Sequence, residues 1–220
     1  MVKIEELYDL DKTIAKELFA GKTYPWEVLP EISDFILRLG ETLDSEKFDH
    51  PSEGVWIAKS AKVFPSAYIG SPCRIDEEAE VRHCAFIRSS AIVGKGAVVG
   101  NSTELKNVVL FDKVQVPHYN YVGDSVLGFK AHMGAGSITS NVKSDKTLVV
   151  VKEPGNPIET KRKKVGAMLG DNVEVGCNSV LNPGTVIGRG ASVYPTSCVR
   201  GVIPEGHIYK DKDNIVKRTD

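Results

Sequence analysis

The chain has no long apolar segment and almost no excess of charge. It contains no run of about 18 apolar residues, and its start, MVKIEELYDL, lacks the apolar region of a signal peptide. The 28 basic and 29 acidic residues leave a formal net charge of −1, so the overall charge does not favour nucleic acid binding. We therefore expect a cytoplasmic protein whose partners are neither membranes nor nucleic acids.

Cysteine is scarce, and its spacing fits neither a zinc site nor a redox pair. Cys73, Cys84, Cys177 and Cys198 form no CxxC motif. A glycine-rich loop of the kind that holds nucleotide phosphates is also missing before residue 50. We expect reduced thiols and no nucleotidyl transfer.

What the chain does have is a repeat of six residues. Large apolar residues recur at this interval up to Phe111, and the same frame returns from Leu127 to Val199. A period of six does not keep to one face of a helix, which turns about every 3.6 residues, but it suits short strands separated by bends. The repeat predicts a mainly β protein built as a parallel β-helix. The first series consists of Ile57, Val63, Ile69, Ile75, Val81, Ile87, Val93, Val99, Leu105 and Phe111.

Two segments depart from the repeat. Residues 1–50 show helical periodicity with glycine stops, and we interpret them as a helical cap on the open end of the solenoid. Residues 141–166 contain the turn EPGNP between two possible strands, which predicts an inserted hairpin. The predicted β-helix covers residues 51–207, and a polar C-terminal tail follows at 208–220.

The repeat is interrupted at VQVPHYNYVGDS. Pro117 stands where the next apolar residue belongs, so we expect His118 to be pushed out of register. A histidine near neutral pH can accept a proton and serve as a general base. From the residues alone, an exposed or structurally bonded histidine remains the alternative.

Several ordered motifs resemble a known family. RSSAIVGKGAVVGNSTELK, HYNYVGD, MGAGSITSN and LGDNVEVG resemble the left-handed β-helix hexapeptide-repeat acyltransferases. The resemblance is to the acetyltransferase domain of bifunctional UDP-N-acetylglucosamine pyrophosphorylase/glucosamine-1-phosphate N-acetyltransferases, from Ile57 to Val199. KKVGAMLGD is also similar to archaeal-type sugar-1-phosphate nucleotidylyltransferase/acetyltransferases. The left hand of the solenoid is implied by this resemblance, not by the spacing.

The resemblance implies an activity and a set of site residues. It implies acetyl transfer from acetyl-CoA, as co-substrate, to the amine of an amino-sugar phosphate such as glucosamine 1-phosphate, a reaction that requires no metal. It also implies a homotrimer with sites shared between subunits. Position by position, His118 matches the catalytic base, and Ala135 and Cys177 match acetyl-CoA contacts. The matching substrate contacts are Arg88, Lys106, Tyr121, His132, Asn141 and Lys164.

The chain departs from the family at three positions, and two other functions remain open. His132 stands in place of an asparagine, and Cys177 and Pro195 replace residues near the CoA channel. One alternative is a noncatalytic module that binds a sugar phosphate or a sugar nucleotide. The other is a γ-type carbonic anhydrase, which would need three histidines such as His83, His118 and His132 to converge on zinc.

Overall fold

The chain folds into a solenoid of parallel coils. A computed structural model describes residues 1–219, with one sheet of 13 strands and one of nine. Apolar residues stack from coil to coil, for example Ile57 on Ile75 and Ile75 on Val93. The predicted fold class, a mainly β, left-handed parallel β-helix with a helical N-terminal segment and an inserted hairpin, is confirmed.

The helical elements all precede the solenoid. They are α1 (Ile4–Leu7), α2 (Ile32–Gly40) and 3₁₀ turns at Leu10–Lys12, Lys16–Phe19 and Pro25–Val28. Within residues 1–219, none of the helices has the length and apolar character needed to cross a membrane. The strands are β1 (Phe48–Ser52), β2 (Val55–Ala58), β3 (Lys62–Val63), β4 (Tyr68–Ile69), β5 (Cys73–Ile75), β6 (Glu80–Val81), β7 (Phe86–Val93), β8 (Val98–Asn101), β9 (Glu104–Leu110), β10 (Gln115–His118), β11 (Tyr121–Leu127), β12 (His132–Met133), β13 (Ile138–Thr139), β14 (Val150–Glu153), β15 (Asn156–Glu159), β16 (Ala167–Leu169), β17 (Glu174–Val175), β18 (Val180–Leu181), β19 (Thr185–Ile187), β20 (Ser192–Val193), β21 (Cys198–Val199), β22 (Val202–Ile203), β23 (His207–Asp211) and β24 (Asn214–Lys217).

The strands of successive coils line up on three faces. The first face contains β3, β6, β8, β10, β12, β17, β20 and β23. The second contains β4, the first halves of β7, β9 and β11, then β13, β18 and β21. The third contains β2, β5, the second halves of β7, β9 and β11, then β16, β19 and β22. The strands β7, β9 and β11 therefore run around the corner between the second and third faces.

The coils at the centre of the solenoid are one residue shorter than those before them. The core residues step by 18 from Ile57 to Ile75 to Val93, but by 17 from Val93 to Leu110 to Leu127. Leu110 thus fills the core position that the period of six gave to Phe111. Phe111 instead packs against aromatic rings of the N-terminal segment.

The same shortening corrects the expectation for His118. Val116, not the residue at 117, takes the core position and pairs with Val99. His118 stays in the strand ladder, opposite Asn101. The histidine is therefore not pushed out of register; it ends β10 in register and lies at a corner of the solenoid.

The N-terminal segment covers a side of the solenoid and not its end. The outward side chains of Ile92, Val109 and Val126 stack in register on the third face and are fully buried. Helix α2 contacts β5, β7 and β9, and the turn at Pro25–Val28 contacts β11. Burial of this apolar strip holds the segment on the third face. The sequence pattern indicated a cap on the open end of the solenoid and did not predict this position.

The insertion and the C-terminal residues also pack on the solenoid. Strands β14 and β15 form an antiparallel hairpin, and β14 contacts β19 and β22 on the third face. At the base of the insertion, Val142 bridges to Lys164. Residues predicted as a polar tail form the hairpin β23–β24, because Tyr209 continues the apolar column from Val193 and is 4% exposed.

Candidate functional site

A buried carboxylate organises the corner between the second and third faces. Asp124 is 2% exposed. Lys106 Nζ donates to its two oxygens at 3.0 and 3.1 Å, Asn107 Nδ2 donates at 2.9 Å, and Asn141 Nδ2 donates at 2.6 Å. A buried carboxylate requires such donors, and charge-assisted bonds of this kind are strong. Asp124 therefore fixes Lys106 and Asn141, two of the predicted substrate contacts, before any ligand arrives.

One residue with positive φ turns this corner in each of three successive coils. Asn107 and Asp124 both have positive φ, at 56° and 48°, as does Ser90 in the coil below. Asparagine and aspartate tolerate this left-handed conformation better than most residues. Ser90 adopts it where Ile87 and Val93 are six residues apart, so positive φ is common to this corner, whereas the step from Leu105 to Leu110 and from Val122 to Leu127 is five residues.

Tyr121 joins the same cluster through Asn141. Asn141 Nδ2 lies 3.2 Å from Tyr121 Oη. A Cβ at Gly123 would lie 2.5 Å from that oxygen, so glycine leaves the room the phenol occupies. Burial, followed by the negative charges of Asp124 and Glu104, raises the pKa of Tyr121. The phenol thus stays a neutral O–H group that can donate a hydrogen bond.

Arg88 lies beside the cluster on the second face. Its Nη1 donates to Glu104 Oε1 at 3.0 Å. Glu104 in turn pairs in register with Tyr121 in the next coil. The side chain of Arg88 remains 48% exposed, so the guanidinium is available to a ligand. Arg88, Lys106, Tyr121 and Asn141 are therefore brought together, with Glu104 and Asp124 balancing the two cations.

His118 occupies the preceding corner, between the first and second faces. Its backbone is fixed, because its N–H donates to Asn120 Oδ1 at 3.1 Å and its carbonyl accepts from Gly136 N at 3.0 Å. Asn120 is 2% exposed and also donates to the carbonyls of Gly134 and Ser137. The His118 residue is exposed, and its imidazole makes no hydrogen bond to the described residues. The ring is therefore free to contact a ligand while its main chain is held.

The predicted acetyl-CoA contacts stack directly on His118. The register of β10 and β12, together with the bond from Gly136 N, aligns Ala135 with His118 in the next coil. Cys177 follows Ala135 in the same column, because Asn178 N donates to the carbonyl of Ala135 at 2.8 Å. The column offers small or exposed side chains along this edge.

The side chains of two predicted site residues make no hydrogen bond to the Asp124 cluster within residues 1–219. His132 pairs with Gln115 and not with His118, and its Nδ1 lies 2.8 Å from Glu174 Oε2. Lys164 is exposed at the base of the insertion, opposite Val142. The backbone beside Lys164 is nevertheless attached to the cluster, because Val165 N donates to the Asn141 carbonyl at 3.0 Å and Gly166 N donates to the Asp124 carbonyl at 2.8 Å. His132 has no such link. Among residues 1–219, no group of three or more His, Cys, Asp or Glu side chains has the arrangement to hold a metal ion.

Sequence reasoning missed the residues that support the site. Asp124, Asn107, Glu104 and Asn120 were not predicted, although they position the residues that were. A signal was present in the five-residue step from Val122 to Leu127, which places a polar residue at a tightened corner.

Comparisons with known proteins cover most of the solenoid. The family model described as the GMPPB C-terminal domain matches residues 69–204. The "Bifunctional protein GlmU" of Methanococcus maripaludis is 32% identical over 196 residues, which are 88% of this chain and 47% of that protein. A bifunctional sugar-1-phosphate nucleotidylyltransferase/acetyltransferase of Sulfurisphaera tokodaii is 30% identical over 193 residues, 84% of this chain and 47% of that protein. The chain thus spans about half the length of the curated relatives it matches.

A solved structure shows a more distant likeness. A mutant of the GDP-perosamine N-acetyl transferase from Caulobacter crescentus, in complex with CoA and GDP-perosamine, is 17% identical with a TM-score of 0.35. The matched region is 76% of this chain and 57% of that chain.

Proposed function

The chain belongs to the family of the GMPPB C-terminal domain, and from that premise we propose that it transfers an acetyl group from acetyl-CoA to the amine of an amino-sugar phosphate. Relatives named as bifunctional GlmU and sugar-1-phosphate nucleotidylyltransferase/acetyltransferase support the proposal. The main observation in its favour is that two corners of the solenoid lie next to each other, both formed by residues 118–124. One presents the unbonded imidazole of His118, and the next presents a polar cluster held ready by Asp124.

We propose that His118 is the general base. The amine of the acceptor attacks the thioester carbonyl, the imidazole accepts the proton that the nitrogen loses, and the C–S bond breaks to release CoA. The backbone N–H of Ala135, which has no hydrogen bond to the described residues, is a suitable donor to the developing oxyanion. This chemistry uses only groups of the chain and its two substrates.

The Asp124 cluster is proposed to hold the acceptor. Lys106 has three N–H groups, and Asp124 engages two of them, so one remains for a phosphate oxygen. Arg88 offers exposed donors on the same face, and Tyr121 and Asn141 suit sugar hydroxyls. Because Glu104 and Asp124 already offset both cations, binding depends more on geometry than on net charge.

The acetyl-CoA co-substrate is proposed to lie along the column above His118. Ala135, Cys177 and then Pro195 follow one another, since Thr196 N donates to the carbonyl of Cys177. Successive coils lie about 4.8 Å apart, so the column rises by roughly 14 Å over three coils. It ends at a cavity of about 510 Å³ that offers cations for the phosphates of the donor. These cations are Arg200, Lys210 and Lys212.

We propose a homotrimer in which the sites are shared. The N-terminal segment and the inserted hairpin cover the third face, which leaves the first and second faces open to other copies. Such packing would let His132 or Lys164 contact the acceptor bound at a neighbouring subunit. Closed cyclic symmetry is a common arrangement for oligomers of identical chains.

Thermal-shift measurements test the proposed ligands. Acetyl-CoA and glucosamine 1-phosphate should each raise the melting temperature, because a ligand that binds only the folded state stabilises it. Lys106→Ala should remove the shift with the sugar phosphate and retain the shift with acetyl-CoA. No shift with either ligand would contradict the proposal. Light scattering that returns a monomer at micromolar concentration would contradict the shared sites.

A further inference from the structure

Two lysines occupy unusual positions at the corner between the third and first faces. In this column of the solenoid every residue from Glu78 to Gly206 has positive φ, between 57° and 64°. Gly96, Asn172 and Gly190 are residue types that adopt this conformation readily. Glu78, Lys113 and Lys130, with φ of 58°, 60° and 57°, are residue types that adopt it less readily. Backbone strain of this kind is tolerated where it is supported elsewhere, and it often marks functional positions.

The ammonium groups of these lysines have no acidic partner among residues 1–219. Lys113 and Lys130 take part in no ion pair there, although they lie in successive coils about 4.8 Å apart. Lys95, one coil below, differs because its Nζ lies 3.1 Å from Glu77 and 3.4 Å from Glu78. Two like charges stacked without a counter-charge favour a bound anion.

A third cation from the N-terminal segment approaches the same corner. Lys12 Nζ lies 5.6 Å from the centre of the Phe129 ring, and Lys130 Nζ lies 5.2 Å from it. Lys12 likewise has no ion pair among the described residues. Both ammonium groups therefore make a cation–π contact with the same ring.

A cavity opens beside the two corner lysines. Its volume is about 350 Å³, and it is lined by Lys113, Lys130, Gln115, His132 and Glu174. Gln115 supplies amide donors, and His132 Nδ1 lies 2.8 Å from Glu174 Oε2.

Further acids stand close to these cations. Asp11, next to Lys12, pairs with Lys16 at 2.6 Å, and Asp171, which accepts from Phe129 N, lies 3.8 Å from Arg189. Asp112 precedes Lys113, and burial raises its pKa. The carboxylate accepts a hydrogen bond from Lys95 N at 3.0 Å. Lys12, Lys113 and Lys130 outnumber Asp112 and Glu174, the two nearby carboxylates that have no lysine or arginine partner within residues 1–219, so the corner carries an excess of positive charge.

We propose that this lysine corner, formed by Lys12, Lys113, Lys130 and Gln115, binds the diphosphate group of a small molecule other than the acyl donor. Two point charges one coil apart suit two linked phosphoryl groups better than a single carboxylate. The lysine corner lies at the start of strands β10 and β12, whereas His118 and Ala135 lie at or beyond the ends of these strands. The lysine corner is therefore separate from the proposed catalytic residue. The proposal does not depend on the acetyl-transfer reaction.

Pyrophosphate binding to the full chain tests the lysine corner. Calorimetry in low-salt buffer with a chelator, so that no metal complex is responsible, should show one site occupied by inorganic pyrophosphate. The double substitution Lys113→Asn with Lys130→Asn should weaken this binding by roughly 10- to 100-fold, the scale of one to two lost charge-assisted hydrogen bonds. Asparagine preserves the fold, because Asn172 holds the equivalent position at φ 59°.

Two controls separate the lysine corner from other sites. Lys95→Asn removes a nearby lysine that is already paired, so it should leave pyrophosphate binding unchanged. The double variant should also keep the wild-type KM for acetyl-CoA. Pyrophosphate binding that survives the double substitution would overturn the proposal, and so would a rise in the KM for acetyl-CoA, which would make the corner part of the donor site.

Discussion

Two neighbouring corners of one coil differ in how their polar side chains are hydrogen-bonded. At the corner between the first and second faces, the backbone of His118 is anchored through Asn120, and the imidazole is left exposed without a partner among the described residues. At the next corner, Asp124 is buried, and its carboxylate is saturated by Lys106, Asn107 and Asn141. The free side chain of His118 and the fully hydrogen-bonded side chain of Asp124 are therefore only six residues apart in the sequence.

The difference matches two tasks in acyl transfer. A general base must exchange protons during the reaction, so its ring cannot be committed to a structural hydrogen bond. Groups that bind a substrate work best when they are already in place, because ordering them on binding costs entropy. The predictions below test whether the corners divide the work in this way.

Loss of the His118 imidazole should have the largest effect. His118→Ala should lower kcat by roughly 10²- to 10⁴-fold with little change in acceptor binding, since a base acts on the transition state. The melting temperature should hardly change, because the ring makes no hydrogen bond in the described chain. His132→Asn is the matched control and should keep activity. Full activity in His118→Ala, with loss of turnover in His132→Asn, would transfer the role of base to His132.

Loss of the Asp124 carboxylate should affect stability as well as binding. Asp124→Ala leaves Lys106 and Asn141 without their acceptor, and chemical denaturation should show a free energy of unfolding lower by about 3 kcal/mol. The KM for the amino-sugar phosphate should rise at the same time. Asp145→Ala is the control, because that exposed carboxylate pairs with Lys143 at the surface and should matter little. Equal stability in the two variants would show that Asp124 does not organise the corner.

Alkylation of Cys177 should block the donor column. Cys177 is exposed next to Ala135, so a maleimide there should raise the KM for acetyl-CoA by roughly tenfold, in a background with Cys84→Ser and Cys198→Ser. Cys73 should not react, because burial raises the pKa of its thiol to about 12. Acetyl-CoA should protect Cys177 from the reagent. Unaltered kinetics after complete modification would place the donor elsewhere.

Removal of Lys164 should have the smallest effect. Lys164 is exposed at the base of the insertion, where solvent screens its charge. Lys164→Ala should raise the KM for the phosphorylated acceptor by roughly three- to tenfold at low salt, and less as salt increases. Lys161→Ala provides a comparison from the same basic run. The same change in both variants would indicate a general charge effect and no specific contact.

The repeat made the architecture predictable, but not its change of length. A period of six in apolar residues is a local pattern, and it correctly indicated stacked coils, while the turn EPGNP indicated the inserted hairpin. The shortening at Leu110 was hidden because Phe111 is also large and apolar, so the old frame continued to fit. Only the pairing of coils reveals that Phe111 faces the N-terminal segment.

Some residues of the candidate site could be predicted from the sequence, and others could not. Resemblance and residue type pointed to Lys106, Tyr121 and Asn141, which the fold brings together through hydrogen bonds. Asp124 could not be identified, because its role depends on donors that are distant from it in the sequence. The position of the N-terminal segment was also missed, since an amphipathic helix does not encode which face it will cover.

The most direct test of the account is turnover by the purified wild-type chain. Release of the CoA thiol should be followed with acetyl-CoA and glucosamine 1-phosphate, together with mass spectrometry of the sugar. The account predicts that CoA release requires both substrates and matches the formation of an N-acetylated sugar phosphate one for one. Saturable binding of the sugar phosphate at the Lys106 site, with no acetylated product from any amino-sugar phosphate supplied, would contradict it and would identify a noncatalytic binding module.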